Sequence, residues 1–429
     1  MLPIPNHAGR RREMPRDHKP RVTGALRHRD FALLWAGQTV SLAGNGVFTV
    51  ALPLEVLRLT GSPLELALIV SARTAPAVLL LLVGGTVVDR MSRRLVMLVS
   101  DSVCGVCVGA VAILIAAGRA GLWELAALTA AFGVASAFFK PASTAIMPDI
   151  LPPGLLVSAS SLSSLSQSLA QFLLGPLAGG VIVAATGPAW GFGLDAASFA
   201  VSAGCLAVMH PVPRPAGPAT PVLEGIAEGL RYCRSQPWLW WSMIAVGIGN
   251  LACIVPLAIF QPLLVRQVFH AGPAALGVMY AASGAGGVLT SLYVGRRPAP
   301  RRRVAAIWAG WSGAGLAAVG LGLAPWFWLA AVFAGLTWSG VTYGNVLWFP
   351  LMQQEVPANL LGRASAVDWM LSLALAPAGT VAGGAVAMLA GVRLALIVGG
   401  SVAAATGAVL LVPGVTEPDR LAGVTGPGR

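Results

Sequence analysis

Residues 85–94 of the chain read Gly85-Thr86-Val87-Val88-Asp89-Arg90-Met91-Ser92-Arg93-Arg94. This short polar segment lies between two long apolar runs, one ending at Val88 and the other beginning at Leu95. A tight hairpin between two membrane helices typically contains a glycine, then an acidic residue beside a basic one, and then a second basic pair. Because basic loops collect on the cytoplasmic face of a membrane, the segment also predicts the orientation of the hairpin.

The composition indicates a helical membrane protein. Of the 429 residues, 56% are hydrophobic and only 10% are charged, whereas soluble domains carry about 25% charged residues. Continuous apolar runs of roughly 18–25 residues recur from position 31 to position 413, whereas a β-barrel would show alternating segments of about ten residues. The sequence therefore predicts an all-α membrane protein with twelve transmembrane helices.

The distribution of basic residues predicts the topology. A net charge of +12 would suit a nucleic-acid partner, but the basic residues lie in the gaps between apolar runs. Of the 28 lysines and arginines, 22 fall in the two termini and the even-numbered gaps. The opposite side holds only Arg58, Arg119, Arg266 and Arg393. We therefore expect cytoplasmic termini, a lipid bilayer around the chain and no bound nucleic acid.

The longest gap divides the chain into two sets of six spans. Within it Leu223, Ile226, Ala227 and Leu230 share one helical face, which predicts an amphipathic helix at the membrane surface. The predicted organisation is a basic cytoplasmic tail (1–30), a six-helix bundle (31–209), a cytoplasmic linker (210–237), a second six-helix bundle (238–413) and a short cytoplasmic tail (414–429).

The two halves read as pseudo-repeats. An acidic residue, a proline and a Leu-Leu pair precede both the fifth and the eleventh spans, in residues 149–156 and 355–361. Gly179-Gly180 and Gly383-Gly384 fall at comparable depths in those spans. Paired six-helix halves of this kind are a recurrent architecture of transporters.

Two motifs resemble those of the major facilitator superfamily. The set Gly85, Asp89, Arg90, Arg93 and Arg94 resembles its hallmark cytoplasmic loop, with Ser92 at a position that usually carries glycine. In the fifth span, Gly175-Pro176-Leu177-Ala178-Gly179-Gly180 resembles the antiporter motif of its drug exporters, with Gln171 replacing a usual glycine.

Further likeness links the chain to a bacterial branch that includes enterobactin exporters and macrolide efflux proteins. It lies in residues 31–38, 51–54, 59–63 and 194–199. The resemblance implies export of a small molecule across the bacterial inner membrane, driven by protons. It also implies that Asp89 latches the two halves in the outward-open state. The other interpretation of the loop arginines is that they only set the membrane topology. The other interpretation of the span 5 motif is ordinary packing of small residues.

Charged residues inside membrane spans cost about 2.5–3.5 kcal/mol each on insertion scales, so they are candidates for substrate binding or proton coupling. The candidates are Arg73, Asp195, Glu55, Lys140, Asp101 and Asp368. Interfacial positions for Glu55 and Asp368, and a snorkelling Lys140, are the alternatives. Trp308, Trp311 and Trp338 are possible binding-site aromatics, although packing is the commoner role.

The sequence contains no P-loop and no histidines at metal-ligand spacing, so we expect no enzyme activity, no cofactor and no metal. Cys104 and Cys107 lie inside a span and are interpreted as packing residues. The main hypothesis is a monomeric secondary active exporter of a small amphipathic molecule. An importer or uniporter on the same fold is the alternative, and a membrane sensor or scaffold is a third hypothesis.

Overall fold

The computed structural model describes residues 24–80, 91–152, 155–211, 222–298, 300–357, 360–416 and 418–419. Ten helices in this part of the chain are long and apolar enough to cross a membrane. Two further helices, Pro63–Leu79 and Phe327–Glu355, occupy the second and tenth positions. The all-α membrane fold is therefore confirmed, and the helices are consistent with the predicted twelve spans.

We number these twelve helices in chain order. The first half contains helix 1 (Arg29–Thr60), helix 2 (Pro63–Leu79), helix 3 (Arg93–Ala116), helix 4 (Leu122–Ala145), helix 5 (Leu156–Ser166, Gln167–Leu174 and Gly175–Thr186) and helix 6 (Pro188–Val208). The second half contains helix 7 (Pro237–Val268), helix 8 (Pro273–Gly295), helix 9 (Arg303–Leu323), helix 10 (Phe327–Glu355), helix 11 (Leu361–Leu373 and Ala376–Ala390) and helix 12 (Val392–Leu411). A linker helix, Val222–Ser235, lies between the halves in the sequence.

Single glycines make the tight connections between helices 5 and 6 and between helices 11 and 12. Gly187 has a φ of 87° and Gly391 a φ of 83°, a region that residues with a side chain rarely adopt. Each glycine ends one helix and directly precedes the next. The same device therefore closes the same hairpin in both halves.

The helices of the two halves pack in equivalent pairs. Helix 1 packs on helices 5 and 6, and helix 7 packs correspondingly on helices 11 and 12. Helix 3 packs on helices 4 and 6 in the way that helix 9 packs on helices 10 and 12. Helix 2 contacts helix 4, and helix 8 contacts helix 10. The two sets of six therefore share one arrangement.

Contacts between the halves concentrate at one end of the bundle. We call this the distal end, where helices 1 and 5 finish at Thr60 and Thr186. The opposite, terminal end is where helices 1 and 9 begin at Arg29 and Arg303. The distal segment of helix 5 packs on helix 8, and the distal segment of helix 11 packs on helix 2.

The apolar core follows the same division. One buried cluster runs through both halves towards the distal end and includes Leu57, Leu66, Phe260 and Leu276. At the terminal end each half has its own buried clusters, for example around Met97 in the first half. The described residues therefore form a bundle that is closed at its distal end and parted at its terminal end.

Candidate functional site

A cavity of about 700 Å³ lies between the two halves. Its walls come from helices 1, 2 and 5 of the first half and from helices 7 to 12 of the second. Among the described residues that line it, the only charged side chains are Arg73 on helix 2 and Asp368 on helix 11. The cavity is thus mostly apolar, with one cation and one carboxylate supplied by opposite halves.

The second half contributes an aromatic wall. The tryptophans that line the cavity are Trp308, Trp311, Trp338, Trp348 and Trp369. The rings of Trp308 and Trp311 meet edge to face with centroids 5.2 Å apart, and Trp311 and Trp348 lie 5.6 Å apart. Helices 9 and 10 therefore form an indole cluster of Trp308, Trp311 and Trp348 at the cavity. Trp338 lines the cavity separately and stacks on Phe172 of helix 5, with ring centroids 6.4 Å apart.

Polar partners within the second half satisfy three of these indoles. The indole N–H of Trp308 donates to Ser242 Oγ at 3.4 Å. The N–H of Trp311 donates to Asn345 Oδ1 at 3.3 Å, and that of Trp348 donates to Asp368 Oδ2 at 3.2 Å. Trp308 and Trp348 are buried, with 1% and 3% of their surface exposed, and they pack against Trp311. The ring of Trp311 is half-buried and its N–H is already bonded, so the surface it keeps at the cavity is apolar. The wall can therefore pack against a flat apolar group without leaving a donor unpaired.

Arg73 is the cation of the first-half wall. Its guanidinium carbon lies 4.5 Å from the ring centroids of both Phe48 and Phe132. One amino group donates to Asn45 Oδ1 at 3.3 Å. Among the described residues no carboxylate oxygen lies within 4.0 Å of its nitrogens. Cation–π contacts and one amide thus replace an ion pair here.

Asp101 and Asp195 lie behind this wall, inside the first half. Asp195 is fully buried, Asp101 is 3% exposed, and neither lines the cavity. Each has one carboxylate oxygen without a hydrogen-bond partner among the described residues. Cys104 lies within electrostatic range of both carboxylates and of Arg73. Three of the six predicted charges are therefore brought into one buried group.

The structure separates the other predicted charges. Glu55 is fully buried near the distal end and forms an ion pair with the exposed Arg58 at 2.7 Å. Lys140 is exposed on helix 4 and does not line the cavity. Asp368 is 7% exposed and borders the cavity. Of the four predicted carboxylates, Asp368 alone faces the cavity.

The hallmark loop is described only in part, because Gly85, Asp89 and Arg90 lie outside the described residues. Arg93 donates to the Asp149 carboxylate at 2.5 Å and to a carbonyl near the end of helix 4. Arg94 donates to the Leu206 and Ala207 carbonyls at 2.7 and 2.5 Å. Both arginines thus fasten the start of helix 3 to neighbouring helix ends within the first half, where a cation is favoured.

The span 5 motif lies at two close helix contacts. Carbon atoms added to Gly175 or Gly179 would meet the backbone of helix 1 at 2.7 to 2.9 Å. One added to Gly180 would instead meet helix 8 of the other half, 2.9 Å from the Pro273 oxygen and 3.0 Å from Gly277 Cα. Pro176 lines the cavity beside them. The motif therefore joins the first half together and also closes it against the second.

Gly384 plays the corresponding part on helix 11. An added carbon there would lie 3.0 Å from the Pro63 carbonyl oxygen and would also meet Ala67, both on helix 2. Ser71 on helix 2 donates to the Pro377 carbonyl at 3.1 Å, a second contact between these helices. Two glycine contacts thus close the distal end, one on each side of the cavity.

Several side-chain amides were not identified as site residues from the sequence. Asn250 and Asn345 line the cavity, and Asn45 holds Arg73. Gln171, noted only as a departure from the antiporter motif, also lines the cavity and accepts a hydrogen bond from Gln167 at 3.3 Å. Each is an amide within an apolar span, and that pattern is the signal that could have identified them.

The comparisons with known proteins agree with this geometry. The family described as transmembrane secretion effector matches residues 22–422. The enterobactin exporter EntS of Citrobacter koseri is 26% identical over 78% of this chain and 80% of its own length. An uncharacterised MFS-type transporter of Bacillus subtilis, YfiS, is 28% identical over 88% of this chain and 92% of its own.

Solved structures show the same fold. A crystal structure of the nucleoside transporter NupG superposes with a TM-score of 0.71 at 12% identity, covering 89% of this chain and 99% of that one. A bacterial homologue of the lysosomal transporter Spinster, solved in an inward-facing conformation, gives a TM-score of 0.61 at 16% identity over 95% and 98% of the two chains. The chain belongs to the transmembrane secretion effector family and is a transporter of the major facilitator superfamily.

Proposed function

We propose that this transporter is a secondary active exporter, which moves a small amphipathic molecule out of the cell in exchange for protons. The observation that carries the proposal is the cavity between the halves, which the described residues close at the distal end and leave parted at the terminal end. Rocking of the halves about a central site would expose it to each side of the membrane in turn. Similarity to proteins named as enterobactin exporters supports export as the direction.

We assign the terminal end to the cytoplasm of a bacterial cell, with the chain in the inner membrane. In the sequence, 22 of the 28 lysines and arginines fall in the termini and the even-numbered gaps, and the described helix ends that flank these segments lie at this end. The positive-inside rule assigns such segments to the cytoplasm. With this assignment the parted end faces the cytoplasm, so the cavity is in the state that admits a substrate from inside. The proposed role of Asp89, to latch the halves in the opposite state, belongs to the next step of the cycle.

Asp368 is our candidate for the residue that exchanges protons. A coupling carboxylate must be reached by both substrate and water, and Asp368 borders the cavity. It has a neutral donor, Trp348, as its partner and no cation within 4.0 Å among the described residues. Glu55 is already paired with Arg58, and Asp101 and Asp195 lie behind the first-half wall.

Transport in proteoliposomes tests the proposal. We would use three naphthyl probes that cross bilayers poorly: naphthalene-2-sulfonate, 2-naphthyl β-glucoside and 2-naphthyltrimethylammonium. An acidic lumen should drive uptake of at least one probe, with matching proton efflux. Asp368→Asn should abolish gradient-driven uptake but retain exchange of labelled for unlabelled probe.

Each alternative gives a different result. Equal uptake with and without a pH gradient would indicate a uniporter. Uptake coupled to proton entry into the lumen would indicate co-transport, as in an importer. Wild-type, gradient-driven uptake by Asp368→Asn would remove this residue from the coupling step. Glu124→Gln, the same carboxylate-to-amide change at an exposed position outside the cavity, serves as the matched control.

A further inference from the structure

We infer that the substrate is an aromatic anion, whose negative group binds Arg73 and whose ring packs on the tryptophan wall of the second half. The inference rests on the proposed function, because it takes the cavity as the path of the substrate. Two independent features of the cavity carry it. One is the set of N–H donors that the Arg73 guanidinium leaves unused, and the other is the aromatic surface of the opposite wall.

The guanidinium of Arg73 has hydrogen-bonding capacity left over. It carries five N–H donors, and one acceptor, Asn45 Oδ1, bonds to it among the described residues. Asn45 itself is oriented by donating from its own amino group to the Ser41 carbonyl at 3.0 Å. The remaining donors belong to a side chain that lines the cavity. An anion in the cavity can therefore accept the hydrogen bonds that the Arg73 guanidinium still has available to donate.

The charge of Arg73 favours an anion for a second reason. A cation in a span is costly unless it is paired or reaches water. Phe48 and Phe132 compensate part of that cost through their ring faces, and Asp195 lies within electrostatic range without touching the guanidinium. A substrate carboxylate or sulfonate would form a charge-assisted, bidentate contact that no described residue makes.

The opposite wall determines what the rest of the substrate can be. Trp308 and Trp348 are buried and pack against Trp311. The half-buried ring of Trp311 has its N–H bonded to Asn345, so it offers ring surface and no free donor. Ring surfaces favour flat aromatic groups, in offset or edge-to-face contact. The carboxylate of that wall, Asp368, repels an anion, so the anionic group is directed towards Arg73.

Equilibrium dialysis of the purified full-length protein with the three naphthyl probes tests the inference. The probes share one ring and differ in charge, so that naphthalene-2-sulfonate should bind most tightly. Arg73→Gln should weaken sulfonate binding by at least about tenfold, the range for a lost hydrogen bond to a charged group. Arg73→Lys should retain part of the affinity. The glucoside should be insensitive to both substitutions.

The controls separate binding from folding and from coupling. Arg119→Gln removes an arginine from an exposed loop and should leave sulfonate affinity unchanged. Trp311→Leu should weaken all three probes alike, because it removes ring surface and no charge. Unchanged glucoside binding by Arg73→Gln shows that the variant is folded.

Three results would overturn the inference: no probe binds, the ammonium probe binds as tightly as the sulfonate, or Arg73→Gln leaves sulfonate affinity unaltered. Failure of the proposed function looks different. In that case the sulfonate binds through Arg73, but a pH gradient moves none of the probes.

Discussion

Enlarging Gly180 should open the distal end of the transporter. This glycine, on helix 5, faces helix 8 of the other half. An added Cβ would lie 2.9 Å from the Pro273 oxygen, 3.0 Å from Gly277 Cα and 3.1 Å from Ala274 Cα. Ordinary contacts of a Cβ are 3.4–4.0 Å. All three neighbours are backbone atoms, which cannot rotate away as a side chain can, so helices 5 and 8 must separate.

The expected size of the effect follows from the cost of overpacking. Inserting one extra carbon into a tight contact costs about 1–3 kcal/mol, and each 1.4 kcal/mol is a factor of ten in a population ratio. Gly180→Ala should therefore shift the ratio of distally closed to distally open molecules by about 5- to 150-fold. The helix propensity gained from alanine cancels from this ratio, since helix 5 is helical in both states.

Distances between spin labels report the shift directly. Thr186→Cys and Gln267→Cys place labels on exposed distal positions of opposite halves, in a background without the native cysteines. We expect Gly180→Ala to move the distance distribution towards longer values. Gly193→Ala, on helix 6 with no atom within 4 Å of the added carbon, should leave it unchanged. An unshifted distribution for Gly180→Ala, or equal shifts for both variants, would refute the close-packing argument.

Two further predictions concern the linker and the driving force. The linker helix contacts helix 11 through the ion pair of Glu228 with Arg363 and through Gly229, where an added carbon would lie 2.8 Å from the Arg363 oxygen. Both charged side chains are more than a third exposed, so their ion pair contributes little. Glu228→Gln should therefore hardly change tryptic cleavage at Arg231 and Arg234, whereas Gly229→Val should release the linker helix and speed this cleavage. The reverse order would show that the ion pair holds the linker helix in place. Exchange of an exported anion for a proton moves two charges per cycle, and each charge is worth about 2.3 kcal/mol per 100 mV of membrane potential. A potential set with potassium and valinomycin should therefore change the transport of the sulfonate more than that of the glucoside. Equal responses of the two probes would contradict an anionic substrate.

Much of the fold follows from local sequence properties. Continuous apolar runs determine helices of membrane length because backbone groups in lipid must bond within their own segment. Gly187 and Gly391 mark equivalent tight loops, and Gly180 and Gly384 lie on the faces where the halves meet. Small residues allow close approach wherever two helices touch, so their positions are readable without knowing the partner helix.

The site was less predictable from the sequence, because which side chains meet depends on the rotation and depth of helices that are far apart in the chain. Arg73 was recognisable as a costly charge, but its partners Asn45, Phe48 and Phe132 come from two other helices. The role of Asp89 as a latch between the halves, for which the start of helix 11 is the candidate partner, stays a prediction. In the described residues Arg363 of that region pairs with Glu228 of the linker helix.

The distribution of chemistry across the cavity suggests how binding could drive the conformational change. A ligand shifts an equilibrium only as far as its affinities for the two states differ. The cation lies on the first half and the aromatic wall with Asp368 lies on the second, so neither half alone can bind an aromatic anion fully. A substrate that contacts both walls gains most where the terminal ends of the halves approach each other. That approach strains the glycine contacts at the distal end. Binding energy gained between Arg73 and the tryptophans is thereby opposed to packing energy at Gly180 and Gly384. Weakening the distal contact should therefore raise substrate affinity in the same variant that opens the distal end.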